Sequence, residues 1–201
     1  MSAIINLHGG GRFNFSDPQL SDFTLDQMAH SLAKQCRFTG HTRHPDAIYS
    51  IAQHQVMCSY LVPREYALQA LHHDDEEFVM GDMSSPLKSL MRDYKVLGII
   101  VRAEIFNRLG ISPTLHPLVK RADNLMLLTE QRDIGPEPVE LEAHLIAEGL
   151  RPLDFIIEIW PIAEARSQFL ARHRELGGRE LLQTRASIEA AFAADEIGSA
   201  A

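Results

Sequence analysis

The residues best suited to chemistry lie at positions 73–77, where one histidine is followed by two aspartates and two glutamates. In a helix, Glu77 lies three residues after Asp74 and four after His73, so the three side chains would share one face and converge on a cation. Apolar residues flank the run, and a carboxylate drawn toward a core needs a positive partner. The run predicts a metal site, against the simpler interpretation of a solvated acidic surface.

Two further candidate ligands lie in other segments with helical periodicity. His54 borders an apolar stripe in residues 47–58, and Asp123 borders one in residues 115–126. Each has a simpler explanation, since the histidine could be bonded to a carbonyl in the core and the aspartate could pair with a neighbouring basic residue. Imidazoles and carboxylates without thiolates suit a borderline or hard divalent ion, so manganese, cobalt, zinc, iron and magnesium all stay open.

The candidate ligands occur in the order His54, His73, Asp74, Asp123. This order resembles that of the HD-domain metal-dependent phosphohydrolases. Further segments are similar to the 5′-deoxynucleotidase-like branch of bacterial and phage HD proteins, namely CRFTGHTR at 36–43, YSIAQH at 49–54, GDMSSPLK at 81–88, KRAD at 120–123 and TEQRD at 129–133. His72 doubles the motif histidine, but His73 adjoins Asp74 and is the predicted ligand.

The resemblance implies a site built around one divalent metal ion. Its four ligands would be His54, His73, Asp74 and Asp123, and the ion would polarise a phosphate oxygen and lower the pKa of a bound water. The resemblance makes Glu77 the acid/base residue near that water, so Glu77 and Asp74 are the predicted catalytic residues. It also implies an irregular helical bundle of the HD-domain type.

Candidate substrate contacts follow from the cations near these motifs. Arg37 offers a fork of donors that matches phosphate oxygens, although a surface ion pair would explain it equally well. Phe38 stands where the branch often has a tryptophan, and it is suited to packing against a base or a sugar. Lys88 could reach phosphate and Asp82 could accept a sugar hydroxyl, or either could hold the loop together.

The predicted activity is hydrolysis of a deoxynucleoside 5′-monophosphate to nucleoside and phosphate. Two alternatives stay open: a deoxynucleoside triphosphate triphosphohydrolase, and a non-catalytic regulatory protein that binds a nucleotide. The presence of all four ligands together with Glu77 favours catalysis.

Composition limits the class of partner. The chain has 201 residues and a formal net charge of −8, which argues against duplex nucleic acid because backbone binding needs clustered cations. A small phosphorylated substrate needs only a local positive site. The two cysteines form no disulfide framework, which predicts a cytoplasmic protein. No apolar run reaches the roughly 20 residues that span a bilayer, and an exposed apolar run at 155–161 would serve as a contact in a homodimer.

Apolar periodicity predicts an all-α protein of one domain, residues 1–201. Its bundle is preceded by a loop segment at 1–22, with a short extended piece at 3–7, and followed by a C-terminal extension at 134–201 that packs on it. Thr24 and Gln27 have the spacing of a capping box. Residues 155–161 would form either a strand or a loop that buries Trp160. Helices are predicted over 24–36, 46–61, 64–79, 86–109, 114–130, 139–145, 161–175 and 178–194.

Overall fold

A computed structural model describes residues 3–136 and 140–181 of the chain. The described residues are mostly helical with little strand, which confirms the all-α class. Two short strands come first, β1 (Ile4–Asn6) and β2 (Arg12–Asn14). The helices are α1 (Leu25–Leu32), α2 (Ile51–Tyr60), α3 (Arg64–Leu71), α4 (Glu77–Met80), α5 (Ser85–Leu90), α6 (Arg92–Leu109), α7 (Pro117–Asp133), α8 (Glu140–Ala147) and α9 (Ile162–Glu175).

The N-terminal segment is more ordered than the predicted loop. Strands β1 and β2 pair antiparallel, with Ile5 opposite Phe13. Gly11 has a positive φ, and a Cβ at this position would collide with the carbonyl of Asp22, so glycine is required where the chain turns into β2. Phe13 is fully buried, and its ring meets that of Phe78 edge to face at 5.7 Å. Strand β2 therefore contributes Phe13 to the core, whereas β1 is exposed.

Helix α1 begins at the predicted capping box. The Thr24 hydroxyl accepts from the Gln27 amide at 3.2 Å, and the Gln27 side chain accepts from the Thr24 amide at 2.9 Å. This reciprocal pair satisfies two amides that the first turn leaves free. The helix ends at Leu32, four residues before the predicted end.

Helix α2 is the central helix of the bundle. The Ser50 hydroxyl caps it by accepting from the Gln53 amide, and eight of its ten residues are buried because α3, α7 and α9 pack around it. The predicted amphipathic helix over 46–61, with His54 at the edge of a buried face, is therefore wrong in detail. His54 is fully buried.

The predicted helix over 64–79 is interrupted. Helix α3 ends at Leu71, and residues 72–76 form turns before α4 begins. In these turns the amide of Asp75 donates to the carbonyl of His72, and the amide of Glu77 donates to the carbonyl of Asp74. Both bonds span three residues, as in a 3₁₀-helix. The predicted helix over 86–109 also divides, because Met91 has non-helical φ and ψ of −114° and 82°. The acidic motif therefore lies on a turn.

The C-terminal part closes one side of the bundle. Residues 151–161 have no strand or helix, and Trp160 packs partly buried against the main core, as the loop alternative predicted. Helix α9 packs against α1, α2 and α3. Residues 178–181 are not helical, and the rest of the predicted helix over 178–194 lies outside the described residues, as does Val139 at the start of the helix predicted over 139–145. None of the described helices combines the length and apolar character that spanning a membrane requires.

Candidate metal centre

The four predicted metal ligands meet at one point, although they come from three separate segments. His54 Nε2 lies 3.3 Å from His73 Nε2, 3.3 Å from Asp123 Oδ1 and 3.8 Å from Asp74 Oδ2. His73 Nε2 lies 3.4 Å from Asp74 Oδ2 and 3.8 Å from Asp123 Oδ1. Atoms that each lie about 2.0–2.2 Å from a shared metal ion are separated by distances of this size. The packing of α2, α7 and the 72–76 turns therefore gathers two imidazoles and two carboxylates.

Each histidine is oriented by a bond from its other ring nitrogen. His73 Nδ1 donates to the carbonyl oxygen of Ala70 at 2.7 Å, and His54 Nδ1 donates to Glu130 Oε1 at 2.5 Å. A carbonyl and a carboxylate can only accept, so both protons are assigned to Nδ1. With a metal bound, both Nε2 atoms would face it with their lone pairs, whereas without a metal they can carry protons toward Asp123. This is the arrangement by which proteins orient metal-ligating histidines.

The charges at this point favour a cation. Burial alone would lower the pKa of His73, but Asp74 and Asp123 raise it to about 10. Burial also opposes ionisation of Asp123, yet hydrogen bonds from the two histidines lower the pKa of that carboxyl well below its usual value. Two ionised carboxylates therefore face the two imidazoles.

A cysteine adjoins the same point. His54, Cys58 and His73 are buried and lie close enough together to hold a metal ion. The Cys58 sulfur is 3.6 Å from His54 Nε2 and 4.0 Å from His54 Nδ1. A second ligand of a metal bound to Nε2 would lie on the far side of Nε2 from the ring, and would be much farther from Nδ1 than from Nε2. The sulfur is nearly equidistant from the two ring nitrogens, so it lies beside the imidazole ring.

Glu130 is a buried residue of the centre that the sequence reasoning did not assign. Its Oε1 accepts from His54 and, at 2.8 Å, from the Tyr49 hydroxyl, while its Oε2 accepts from Arg37 Nε at 3.0 Å. Burial raises the pKa of Glu130, but Arg37 and His54 outweigh burial and hold it below its usual value. Glu130 follows Asp123 by seven residues, two turns of α7, so the two carboxylates share a face. That spacing was the available signal.

Glu77, the predicted acid/base residue, lies at the first position of α4. Its Oε1 accepts from Lys88 Nζ at 2.7 Å, whereas its buried Oε2 has no hydrogen-bond partner within the described ranges. Burial, Asp74 and Asp82 raise the pKa of Glu77 to about 8, although Lys88 opposes them. A carboxyl with this pKa can hold a proton near neutral pH. Lys88, predicted to reach phosphate, is bound to Glu77.

The other predicted substrate contacts surround Arg37. Its NH1 lies 3.8 Å from Asp74 Oδ2, so the guanidinium adjoins the metal-binding point. Phe38 follows with a positive φ of 56°, as does Thr39 with 53°, and both are rare backbone states for such side chains. The Phe38 ring lies 5.7 Å from the Arg37 guanidinium carbon. Burial raises the pKa of Asp82, and this effect outweighs that of the nearby Arg37 charge, which lowers it.

His72 faces away from this centre. Its Nδ1 lies 2.5 Å from Asp75 Oδ2, and its Nε2 lies 2.8 Å from Nδ1 of His173 on α9. The structure therefore brings His73, and not His72, to the other candidate ligands.

Comparison with known proteins gives relatives across most of the chain. An uncharacterized protein of Escherichia coli (strain K12), YfdR, is 36% identical over 176 residues, which cover 87% of this chain and 96% of the relative. An uncharacterized protein of Rhodobacter capsulatus is 31% identical over 182 residues, which cover 83% of this chain and 92% of the relative. No protein-family model matches the chain. The chain belongs to the same family as these two proteins.

Proposed function

We propose that this protein is a metal-dependent phosphohydrolase that cleaves a deoxynucleoside 5′-monophosphate to nucleoside and phosphate. The observation that carries the proposal is the paired orientation of His54 and His73. Each donates its Nδ1 proton to a protein acceptor and directs Nε2 to one point, beside oxygens of Asp74 and Asp123. The HD-domain resemblance of the motifs supplies the reaction class and the nucleotide.

The donor set favours the two carboxylates over the thiol as the remaining ligands. Asp123 Oδ1 lies 3.3 Å from His54 Nε2, in the range for atoms that share an ion, whereas the Cys58 sulfur lies beside the ring. Two imidazoles and two carboxylates suit manganese, cobalt, zinc, iron or magnesium. When bound, such an ion would polarise a phosphate oxygen and make a water molecule more acidic.

The chain's own groups would position the phosphate and move the protons. Arg37 would hold a phosphate oxygen through its terminal N–H groups, because among the described residues only its Nε has a hydrogen-bond partner, Glu130. In the hydrolysis a water molecule gives up a proton as its oxygen bonds to phosphorus, the bond from phosphorus to the 5′ oxygen breaks, and the 5′ oxygen takes up a proton. Glu77, whose pKa is raised to about 8 by burial and by Asp74, is suited to exchange that proton.

The balance of charge favours a monophosphate over a triphosphate. Around the candidate centre, the described residues include five carboxyl groups, at positions 74, 77, 82, 123 and 130. Three cationic side chains, at positions 37, 88 and 120, pair with them or lie nearby. Because Glu77 can hold a proton near neutral pH, the other four carboxylates and the three cations carry a net charge of −1, and one divalent ion would make it +1. A phosphate monoester adds about −2 at neutral pH. A triphosphate adds more charge and needs further cations around its outer phosphates.

Turnover with separate product analysis tests the proposal. Metal-stripped full-length protein is reloaded with manganese, cobalt, magnesium or zinc and given deoxyribo- and ribonucleoside mono- and triphosphates. We expect nucleoside and inorganic phosphate from deoxynucleoside monophosphates. The matched control is Asp74→Asn, which keeps the side-chain shape but weakens the ligand, and it should lose both metal and turnover while keeping the helical circular dichroism spectrum.

Each other outcome contradicts the proposal in a different way. Nucleoside with intact triphosphate would make the protein a triphosphohydrolase. Metal binding with no product from any nucleotide would favour the regulatory, non-catalytic alternative. Equal turnover by the Asp74→Asn protein would show that the activity arises elsewhere.

A further inference from the structure

We propose that Glu130 is a positioning residue that holds the metal ligand His54 and the phosphate-binding Arg37 in a fixed relation through its two separate oxygens. The inference rests on the proposed function, because it assumes a metal at His54 and a phosphate at Arg37. It goes beyond that function by assigning a role to a residue that contacts neither the metal nor the substrate.

The contacts divide cleanly between the two carboxylate oxygens. Oε1 accepts from His54 Nδ1 at 2.5 Å and from Tyr49 at 2.8 Å, and Oε2 accepts from Arg37 Nε at 3.0 Å. Glu130 is fully buried, so water does not compete for these positions. Because the carboxylate is planar and rigid, fixing one oxygen fixes the other. The orientation of the His54 ring and that of the guanidinium are thereby linked.

The bond to Glu130 determines which edge of Arg37 remains for a ligand. Nε is committed to Glu130, and NH1 lies 3.8 Å from Asp74 Oδ2, beside the metal-binding point. NH1 therefore lies in the same region as His54 Nε2, which is also 3.8 Å from Asp74 Oδ2. An arginine already held in place loses less side-chain entropy when phosphate binds, which improves affinity.

The chemistry of the site requires a carboxylate at position 130. His54 Nδ1, Tyr49 Oη and Arg37 Nε are all donors, and an ionised carboxylate has acceptors on both oxygens. A glutamine has one oxygen and one NH₂ group. Whichever way its amide turned, the NH₂ group would face either the N–H of His54 or that of Arg37. Glu130→Gln can therefore accept from His54 or from Arg37, but not from both.

Two binding measurements that need no turnover test the linkage. Manganese(II) affinity is measured from free ion by electron paramagnetic resonance, and inorganic phosphate affinity by calorimetry on protein saturated with manganese. We expect Glu130→Gln to weaken manganese binding by about 10–100-fold. We expect it to weaken phosphate binding roughly tenfold as well, because a hydrogen bond to a charged group is lost at Arg37.

Two further variants separate the ends of the linkage. Arg37→Met should change phosphate binding far more than manganese binding, because Oε1 of Glu130 still orients His54. The double variant with Glu130→Gln should bind phosphate no more weakly than Arg37→Met alone. Tyr49→Phe is the matched control, because it removes a hydroxyl from the same carboxylate without touching either end. It should keep both affinities near those of the wild type.

Several results would overturn the inference. One is unchanged manganese affinity in Glu130→Gln. Another is a loss of manganese affinity in that variant while its phosphate affinity stays intact. A third is a double variant in which the losses of phosphate affinity from the two substitutions are additive. If Glu130→Gln fails to fold, normal phosphate binding by Arg37→Met would still refute it. A wild-type protein that binds manganese and phosphate but hydrolyses no nucleotide would contradict the proposed function and leave the role of Glu130 standing.

Discussion

Two buried histidine clusters lie side by side in this protein, and they use the same residue types in opposite ways. In the candidate metal centre, the Nε2 atoms of His54 and His73 face each other at 3.3 Å. In the second cluster, His72 joins Asp75 and His173. His72 and His73 are adjacent residues of the same type. The sequence alone therefore does not show which histidine belongs to which cluster.

The second cluster is a closed chain of hydrogen bonds. His173 Nε2 donates to the carbonyl of Arg179 at 3.1 Å, so its Nδ1 accepts from His72 Nε2 at 2.8 Å. His72 Nδ1 lies 2.5 Å from Asp75 Oδ2, and the Gln55 amide donates to Asp75 Oδ1 at 3.0 Å. Every ring nitrogen is thus engaged by another protein group. The comparison teaches that imidazole Nε2 atoms and carboxylate oxygens converging on one point indicate a candidate metal site, whereas a chain of histidines and an aspartate bonded to one another does not.

The largest expected effect comes from exchanging the adjacent histidines one at a time. His73→Gln should remove a ligand and abolish metal binding and turnover. His72→Gln should keep the metal and lower the free energy of unfolding by about 1–3 kcal/mol, because it breaks buried hydrogen bonds. Metal content by elemental analysis and chemical denaturation distinguish the two variants. Loss of metal in His72→Gln with retention in His73→Gln would reverse the assignment.

The two clusters should also differ in how pH affects stability. In metal-free protein the pKa of His73 is raised from about 6.5 to about 10, with Asp74 and Asp123 overcoming the effect of burial. Its contribution to stability is full below pH 6.5 and is lost as the pH rises toward 10. Metal replaces that proton, so the melting temperature of the metal-loaded protein should fall less over this range. Parallel curves with and without metal would contradict the assignment.

A substitution beside the second cluster should disturb it alone. A Cβ at Gly178 would collide with the His173 ring, so Gly178→Ala should lower the free energy of unfolding by about 1–3 kcal/mol. Gly98→Ala in α6 is the matched control, because its Cβ would meet only the Glu76 and Met80 side chains, at ordinary contact distances. The free energy of unfolding should rise by up to about 1 kcal/mol, because alanine favours a helix over glycine. Manganese affinity should stay unchanged in both proteins. Weaker manganese binding in Gly178→Ala would mean that the clusters are coupled.

The smallest effect is expected at the thiol beside the metal centre. Because the Cys58 sulfur lies beside the His54 ring, Cys58→Ala should keep metal content and manganese affinity near those of the wild type. The variant should lose only about 1 kcal/mol of stability through the small cavity. A large fall in metal affinity would show that Cys58 is a metal ligand in place of one of the two carboxylates.

Much of the architecture could be predicted from local sequence. Apolar periodicity predicted the all-α class, and Thr24 and Gln27 predicted the start of α1, because capping and helix formation depend on neighbouring residues. The breaks at 72–76 and at Met91 were missed. Periodicity does not report a turn whose side chains bond to distant partners, such as His72 to His173.

The sequence by itself determined the order of the candidate ligands along the chain, and it predicted the set as His54, His73, Asp74 and Asp123. Only the tertiary structure decided how these residues are used. Packing of α2 against α7 brought Glu130 to His54, 76 positions away, and packing of α9 brought His173 to His72, 101 positions away. The physical reason is that a ring nitrogen's role depends on which group occupies its partner nitrogen, and that group comes from another helix.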